Sequence, residues 1–276
     1  MWINKREIKE LSENIRKIID GRSNSIDLRD NREGAWRVLK NDIHTLANLK
    51  SEQVGALQRE HAMMADNLAN ISHQLKTPLT SMTIMADLLE NAPPDKRSEF
   101  LSYIKTGLSR MDWLSTAIMK MAKLDAGAVK FSIERMQSGA LVELALEPLK
   151  ILLDVKSQSV DAFCETELSC DKRWTAEALT NIIKNASEYT PGGGKIKIES
   201  GMNPICGWIS VTDSGDGIPN SKIANLFKRF EGSQSDKGYG IGLPLALAIM
   251  RGQNGDIEVD GGGNGRGATF ALKLYK

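Results

Sequence analysis

Asn70-Ile71-Ser72-His73-Gln74-Leu75-Lys76-Thr77-Pro78-Leu79-Thr80 is the stretch on which the reading of this chain turns. It lies inside a run whose apolar residues are Val54, Leu57, Met64, Leu68, Ile71, Leu75, Met82, Met85 and Leu89. These recur at alternating steps of three and four, with His61 and Pro78 in the two remaining slots, the pattern of a coiled-coil seam on a long helix. With Leu68 as position a, His73 falls at f and points away from the seam. A histidine meant for the core would sit on the seam, so this one is presented to something outside it. Thr77 lies one turn on and shares its face. Pro78 offers no N–H to the Gln74 carbonyl and predicts a bend just beyond His73.

Composition sets the frame. A length of 276 residues predicts two or three domains, and 41% apolar residues suffice for real cores. Aromatics at 5% suit helical bundles better than all-β sandwiches. Lys plus Arg number 36 against 35 for Asp plus Glu, which gives no general attraction to nucleic acid. Cys164, Cys170 and Cys206 have no metal-ligand spacing, and an odd count argues for reduced thiols rather than a disulfide framework. No apolar run reaches the roughly eighteen residues of a membrane span, and the start does not look like a signal peptide, so the chain as given reads as soluble.

Upstream, Ile3 to Asp20 predicts a helix striped with Ile8, Leu11, Ile15 and Ile18. A polar connector runs from Gly21 to Arg32, and Glu33-Gly34 precedes a second stripe of Val38, Leu39, Ile43, Leu46 and Leu49. This second seam is out of phase with the one around His73. Lys50 to Gln53 is therefore either a stutter, able to convert a rotation into a bend, or a solvated junction. Downstream, Asn91-Ala92-Pro93-Pro94 ends the His73 helix. Asp95 is placed to cap a second helix with a seam at Leu101, Ile104, Leu108, Met111, Ile118 and Ala122, closed by Gly127. Two such helices cannot bury both stripes alone, and pairing into a dimeric four-helix bundle solves this.

Past residue 130 the pattern changes. Strands are expected at Val129 to Ile133, Lys195 to Glu199, Gly207 to Thr212 and Thr269 to Leu274. Helices are expected at Ser138 to Leu152, Trp174 to Glu188, Ser221 to Phe227 and Leu243 to Asn254. Together they make an α/β sandwich with helices on one face of a sheet. Asn181 and Asn185 share a helix face beside Lys184, and an asparagine amide oxygen can ligate magnesium without adding charge near a triphosphate. Asp213-Ser214-Gly215-Asp216-Gly217-Ile218 follows a strand, where a carboxylate can accept from an adenine amine. Gly238-Tyr239-Gly240-Ile241-Gly242-Leu243 opens a helix whose amides can receive phosphate oxygens. Gly265-Arg266-Gly267-Ala268-Thr269 precedes the last strand.

Ser-His-Gln-Leu-Lys-Thr-Pro-Leu resembles the phosphoacceptor box of HisKA-type sensor histidine kinases of two-component systems. The four later motifs, in their order and with Phe227 and Phe230 between the second and third, resemble the N, G1, F, G2 and G3 boxes of the Bergerat-type (GHKL) ATP-binding domain shared with gyrase, chaperone and mismatch-repair ATPases. Residues 1–50 are similar to a HAMP signal-relay module. The resemblance implies three parts: residues 1–50 as the relay module, 51–127 as a dimerisation and histidine-phosphotransfer domain, and 128–276 as the catalytic ATP-binding domain. It implies ATP and Mg2+ as cofactors, and His73 as the phosphorylated nucleophile. Thr77 would orient water in a regulator-phosphatase reaction. Asn185 would hold magnesium with Asn181, Tyr189 would lie against the nucleotide and Asp213 would read adenine. Gly215, Gly217, Ile218, Gly238, Tyr239, Gly240, Gly242, Leu243 and Thr269 would line the site, and Phe227 and Phe230 would anchor a lid.

The resemblance further implies a homodimer, a response-regulator receiver as partner, and a location on the cytoplasmic side of a bacterial membrane, anchored upstream of residue 1. Three positions depart from the family pattern. Gln74 stands where an acid commonly follows the histidine, Glu188 where a base is common, and Gly232 where the lid usually carries one. Lys184, Arg229 or Lys237 would then supply the positive charge. Two other classes stay open: a nucleotide-binding pseudokinase scaffold, and an ATPase clamp, which would need a glutamate where Asn181 stands.

Overall fold

The computed structural model describes residues 35–230, 240–262 and 266–276, and five helical positions between 9 and 16. The expected helix from Ile3 to Asp20 and its connector lie largely outside the described residues. By contacts the chain divides into two units, Met1–Asn70 and Ile71–Lys276. In the first, α1 (Ala35–Glu90) begins, and Lys50 to Gln53 is helical within it. Its apolar residues Val54, Leu57, Met64 and Leu68 stay 45–63% exposed in the single chain.

In the second unit the rest of α1 folds back on α2 (Pro94–Asp125). Helix α1 continues through Pro78. The hydroxyls of Thr77, Thr80 and Thr83 donate to the carbonyls of His73, Lys76 and Leu79 at 3.2, 2.9 and 2.9 Å. Met82 is buried against Gly107, where a Cβ would come within 2.6 Å of its side chain. Asp95 does not cap α2: Pro93 holds the cap position without a side-chain bond, and Asp95 sits in the first turn, where its charge suits the helix dipole. Gly127, at φ 61°, ends α2 as expected. Its N–H bonds Leu124 O and the Ala128 N–H bonds Lys123 O, a Schellman closure.

Helix α2 serves two partners, a point its sequence stripe does not reveal. The expected seam residues Leu101, Leu108 and Ala122 are exposed, whereas Leu114, Ala117 and Met121 are buried. These three join the core of the C-terminal sandwich.

That sandwich is built from β1 (Ile133–Gln137), α3 (Ser138–Leu146), a short 3-10 turn, α4 (Lys150–Val155), β2 (Ser159–Phe163), β3 (Glu167–Asp171), α5 (Lys172–Tyr189), β4 (Lys195–Met202), β5 (Cys206–Thr212), α6 (Asn220–Ile223), α7 (Gly242–Gly252), β6 (Gly255–Asp260) and β7 (Thr269–Tyr275). The main sheet has the order β2-β4-β5-β7-β6, and β1 and β3 form a separate antiparallel pair. In the main sheet β2 and β4 are parallel and the other pairs antiparallel. Ile196, Ile198, Phe270 and Leu272 alternate inward onto the helices. The other face carries ion pairs such as Lys195–Asp161 and Lys197–Glu199.

The expected strand at Val129 to Ile133 is corrected. Those residues form a linker, and the strand begins at Ile133 because Ile133 to Gln137 can pair with β3. The linker is fixed by contacts the pattern could not show. Ser132 N–H donates to Asp171 Oδ2 at 2.9 Å, and Phe131 meets Trp174 edge-on with centroids 5.9 Å apart. Asp171 also caps α5 through the N–H groups of Arg173 and Trp174.

Candidate active site

His73 is exposed on α1, as its f position requires, and Gln74 is half-buried beside it. Leu75, two residues on, packs against the core that contains Leu114. One face of this turn is thereby fixed while the histidine faces out. The Thr77 hydroxyl gives its proton to the His73 carbonyl, leaving its oxygen lone pairs to accept from another donor.

A second set of residues converges at the ends of α5, β5 and α7. Asp213 follows β5 and is buried at 6% exposure. Its Oδ1 accepts from Gly215 N–H at 2.8 Å, which aims the carboxylate. Burial pushes this carboxyl above its usual 3.8, against the pull of backbone hydrogen bonds from Gly215 and Ala268. Two glycines make the approach possible. A Cβ at Gly215 would come within 2.5 Å of the Tyr189 carbonyl oxygen, and one at Gly267, whose φ is 55°, would overlap the Asp213 carbonyl. Gly267 was absent from the expected site residues, although its place just before the last strand was a usable signal.

Helix α7 starts at Gly242, and no described side chain caps it. Its first amides are therefore available to an anion. A Cβ at Gly242 would lie 3.3 Å from Asn181 Oδ1, so that amide oxygen faces the helix start. The Asn181 amide nitrogen donates to Glu177 O at 3.0 Å, which orients the oxygen outward. Asn185 lies one turn further and is half-buried, and Tyr189 is exposed at the end of the same helix. Ile218 N–H bonds Gly261 O at 2.8 Å, after Gly217 at φ 79°. Leu243 is half-buried against the core. Thr269 shares a 2.9 Å hydrogen bond with Thr212, and its hydroxyl is engaged there. Phe227 and Phe230 pack on the core, and Phe230 N–H bonds Gly240 O at 2.9 Å. Gly238, Tyr239, Gly232 and Lys237 lie outside the described residues.

Two expected nucleotide cations are engaged elsewhere. Lys184 Nζ stands 4.8 Å above the Trp113 ring of α2, and Arg229 Nη2 bonds Asp125 Oδ1 at 2.7 Å. Lys120 and Glu177 add a third contact between the sandwich and α2, at 2.7 Å. Trp113, Lys120 and Asp125 were not singled out from sequence, because they matter only once α2 meets the sandwich.

Among the described residues no cluster of three or more His, Cys, Asp or Glu could hold a metal. Asn181 and Asn185 offer hard amide oxygens, which fit magnesium as one or two protein ligands completed by phosphate and water. Burial raises the Cys164 and Cys170 thiols, consistent with unreactive reduced cysteines. No described helix is long and apolar enough to cross a membrane.

Comparison with known proteins agrees with both halves of this arrangement. Residues 63–127 match the His Kinase A phosphoacceptor domain, and residues 170–276 match the histidine kinase-, DNA gyrase B- and HSP90-like ATPase family. The heme sensor protein HssS of Staphylococcus saprophyticus is 27% identical over 240 residues, which are 86% of this chain and 52% of that protein. Sporulation kinase C of Bacillus subtilis is 26% identical, over 81% of this chain and 52% of its own length. The chain thus spans about half the length of these curated relatives. Among solved structures, the Acinetobacter baumannii histidine kinase AdeS aligns with a TM-score of 0.62 at 23% identity, covering 74% of this chain and 97% of that one. Histidine kinase ThkA, solved in complex with the response regulator protein TrrA, aligns at 0.64 with 18% identity, covering 82% and 66%. With a phosphoacceptor domain matched around the exposed His73 and an ATPase domain matched around the buried Asp213, the chain belongs to the sensor histidine kinases.

Proposed function

We propose that this chain phosphorylates itself on His73 from ATP and passes the phosphoryl group to an aspartate of a response-regulator receiver. The observation that carries the reading is an exposed histidine on α1, in the same unit as a buried carboxylate aimed by Gly215 and an uncapped helix start. In the forward step a neutral His73 nitrogen attacks the γ-phosphorus in line. The N–P bond forms as the bond to the bridging oxygen breaks, and ADP leaves. Gln74 can accept a hydrogen bond from the other ring N–H through its amide oxygen but cannot take that proton, so solvent must. Asp213 accepts from the adenine amine, and the α7 amides receive phosphate oxygens. Asn185, helped by Asn181, would hold magnesium, which supplies charge neutralisation on the transferring group when bound.

The chain works as a homodimer, because the seam from Val54 to Leu68 is unburied in one copy. Thr77 accepts from and orients the water that removes phosphate from the regulator, the second activity of the same face. The three-part division at 1–50, 51–127 and 128–276 completes the reading. The relay module resembles HAMP and would be fed from a membrane anchor upstream, with this part on the cytoplasmic side. The regulator as partner is in keeping with ThkA having been solved bound to one.

Incubation with γ-labelled ATP separates this reading from its rivals. Acid-labile, base-stable label on the protein is expected. Free phosphate alone would indicate an ATPase clamp, and neither product would indicate a scaffold.

A further inference from the structure

A groove of about 500 Å³ lies where the end of α2 and the 127–131 linker face α7. Its lining is apolar through Leu124 of α2, Phe131 of the linker, and Leu247 and Ala248 of α7. Its size is that of a small-molecule site. Three charged groups line it: Arg229, Arg251 and Asp125, for a net charge of one positive. Arg229 spends one N–H on Asp125, and Arg251 spends one on Asp256 at 3.3 Å. A guanidinium carries five N–H donors in a planar fork, so both retain donors that suit a further carboxylate. A purely ionic ligand would leave the apolar walls wetted, and a cation would meet two guanidiniums.

We propose that this groove binds a small organic acid, a rigid apolar body bearing one carboxylate. Such a ligand touches walls from both domains, so it binds only where the sandwich is docked on α2, and occupancy holds that arrangement. Its effect on phosphoryl transfer rests on the kinase reading above; the binding itself does not. A docked sandwich keeps Lys184 on Trp113 and Arg229 on Asp125, so the ligand slows labelling of His73.

The test uses the full chain and 6-fluoro-2-naphthoate, followed by its fluorine NMR signal. Saturable binding is expected below about 1 mM, with the matching naphthyl-methylammonium cation at least roughly ten-fold weaker. Arg251→Glu, a change on an exposed side chain, should cost about ten-fold. Ala248→Phe, which fills the groove, should abolish binding, and if that variant does not fold, Arg251→Glu still decides. Asp213→Asn should leave probe affinity unchanged, since the nucleotide site is separate. Equal binding of the cation, unchanged binding by Arg251→Glu, or no saturation would overturn the site. Probe that binds yet leaves the labelling rate unchanged would overturn the docking effect. No labelling in untreated chain would instead tell against the kinase reading, leaving the binding result to stand by itself.

Discussion

At the scale of single residues, Asp213 shows a conflict between folding and binding. Its carboxyl is raised by burial, so the folded chain holds that proton more tightly than the unfolded one. The contribution to stability is full below the unfolded value near 3.8 and is lost as pH rises through the raised one. At neutral pH the ionised carboxylate is a cost, which the proposed hydrogen bond from the adenine amine would offset. Asp213→Asn retains an acceptor for Gly215 N–H but presents a donor where an acceptor is needed. It should melt above wild type at pH 7, with the advantage shrinking as pH falls through the raised value and gone once pH is below 3.8. ATP affinity should drop by about 1–3 kcal/mol. Calorimetry showing full ATP affinity in this variant would remove Asp213 from the site. On α1, Gln74→Glu should speed autophosphorylation, because a carboxylate stabilises the imidazolium that forms, by less than the roughly 10²–10⁴-fold of a fully placed acid–base group. Thr77→Ala loses only a back-bond to His73 O and keeps a good helix former. It should spare labelling and depress phosphate loss from a phosphorylated regulator. Paired rate measurements check both, and loss of labelling in Thr77→Ala would make Thr77 a holder of the helix instead.

At the scale of elements, what holds the sandwich on α2 is apolar packing more than charge. Lys120–Glu177 and Arg229–Asp125 are about one third to one half exposed, and pairs of that kind are worth about 0–1 kcal/mol after screening. The Lys184–Trp113 contact adds about 0.5–1 kcal/mol. Leu114, fully buried, should cost about 2–5 kcal/mol as Leu114→Ala, against under about 1 kcal/mol for Lys120→Ala. Denaturant unfolding at fixed protein concentration compares them, and equal losses would mean the ion pair matters as much as the core. This interface explains what the sequence concealed. The heptad count predicted one stripe on α2, but Leu114, Ala117 and Met121 form a second, addressed to an element far along the chain. Strands β2, β3 and β6 also escaped notice. Ser159–Phe163, Glu167–Asp171 and Gly255–Asp260 are short, and polar or charged residues blur their alternation. Partners found only in the folded sheet decide them.

At the scale of the molecule, the parts legible from sequence were those whose chemistry is local. The His73 face follows from heptad phase within one helix, and Asp213 and Gly242 follow from turns that only glycine-rich loops make. The destination of Lys184 and Arg229 was not legible, because a cation beside a predicted phosphate site has the same local pattern whether it faces nucleotide or a tryptophan. In the proposed function, transfer chemistry falls on one exposed histidine, fed by a site some hundred residues later in the chain. Its most direct test is labelling of His73→Ala from γ-labelled ATP, beside wild type, with ATP affinity measured on both. The account predicts that the variant binds ATP as wild type does and takes up no label. Label retained on the variant, whether on His44, His61 or elsewhere, would contradict it.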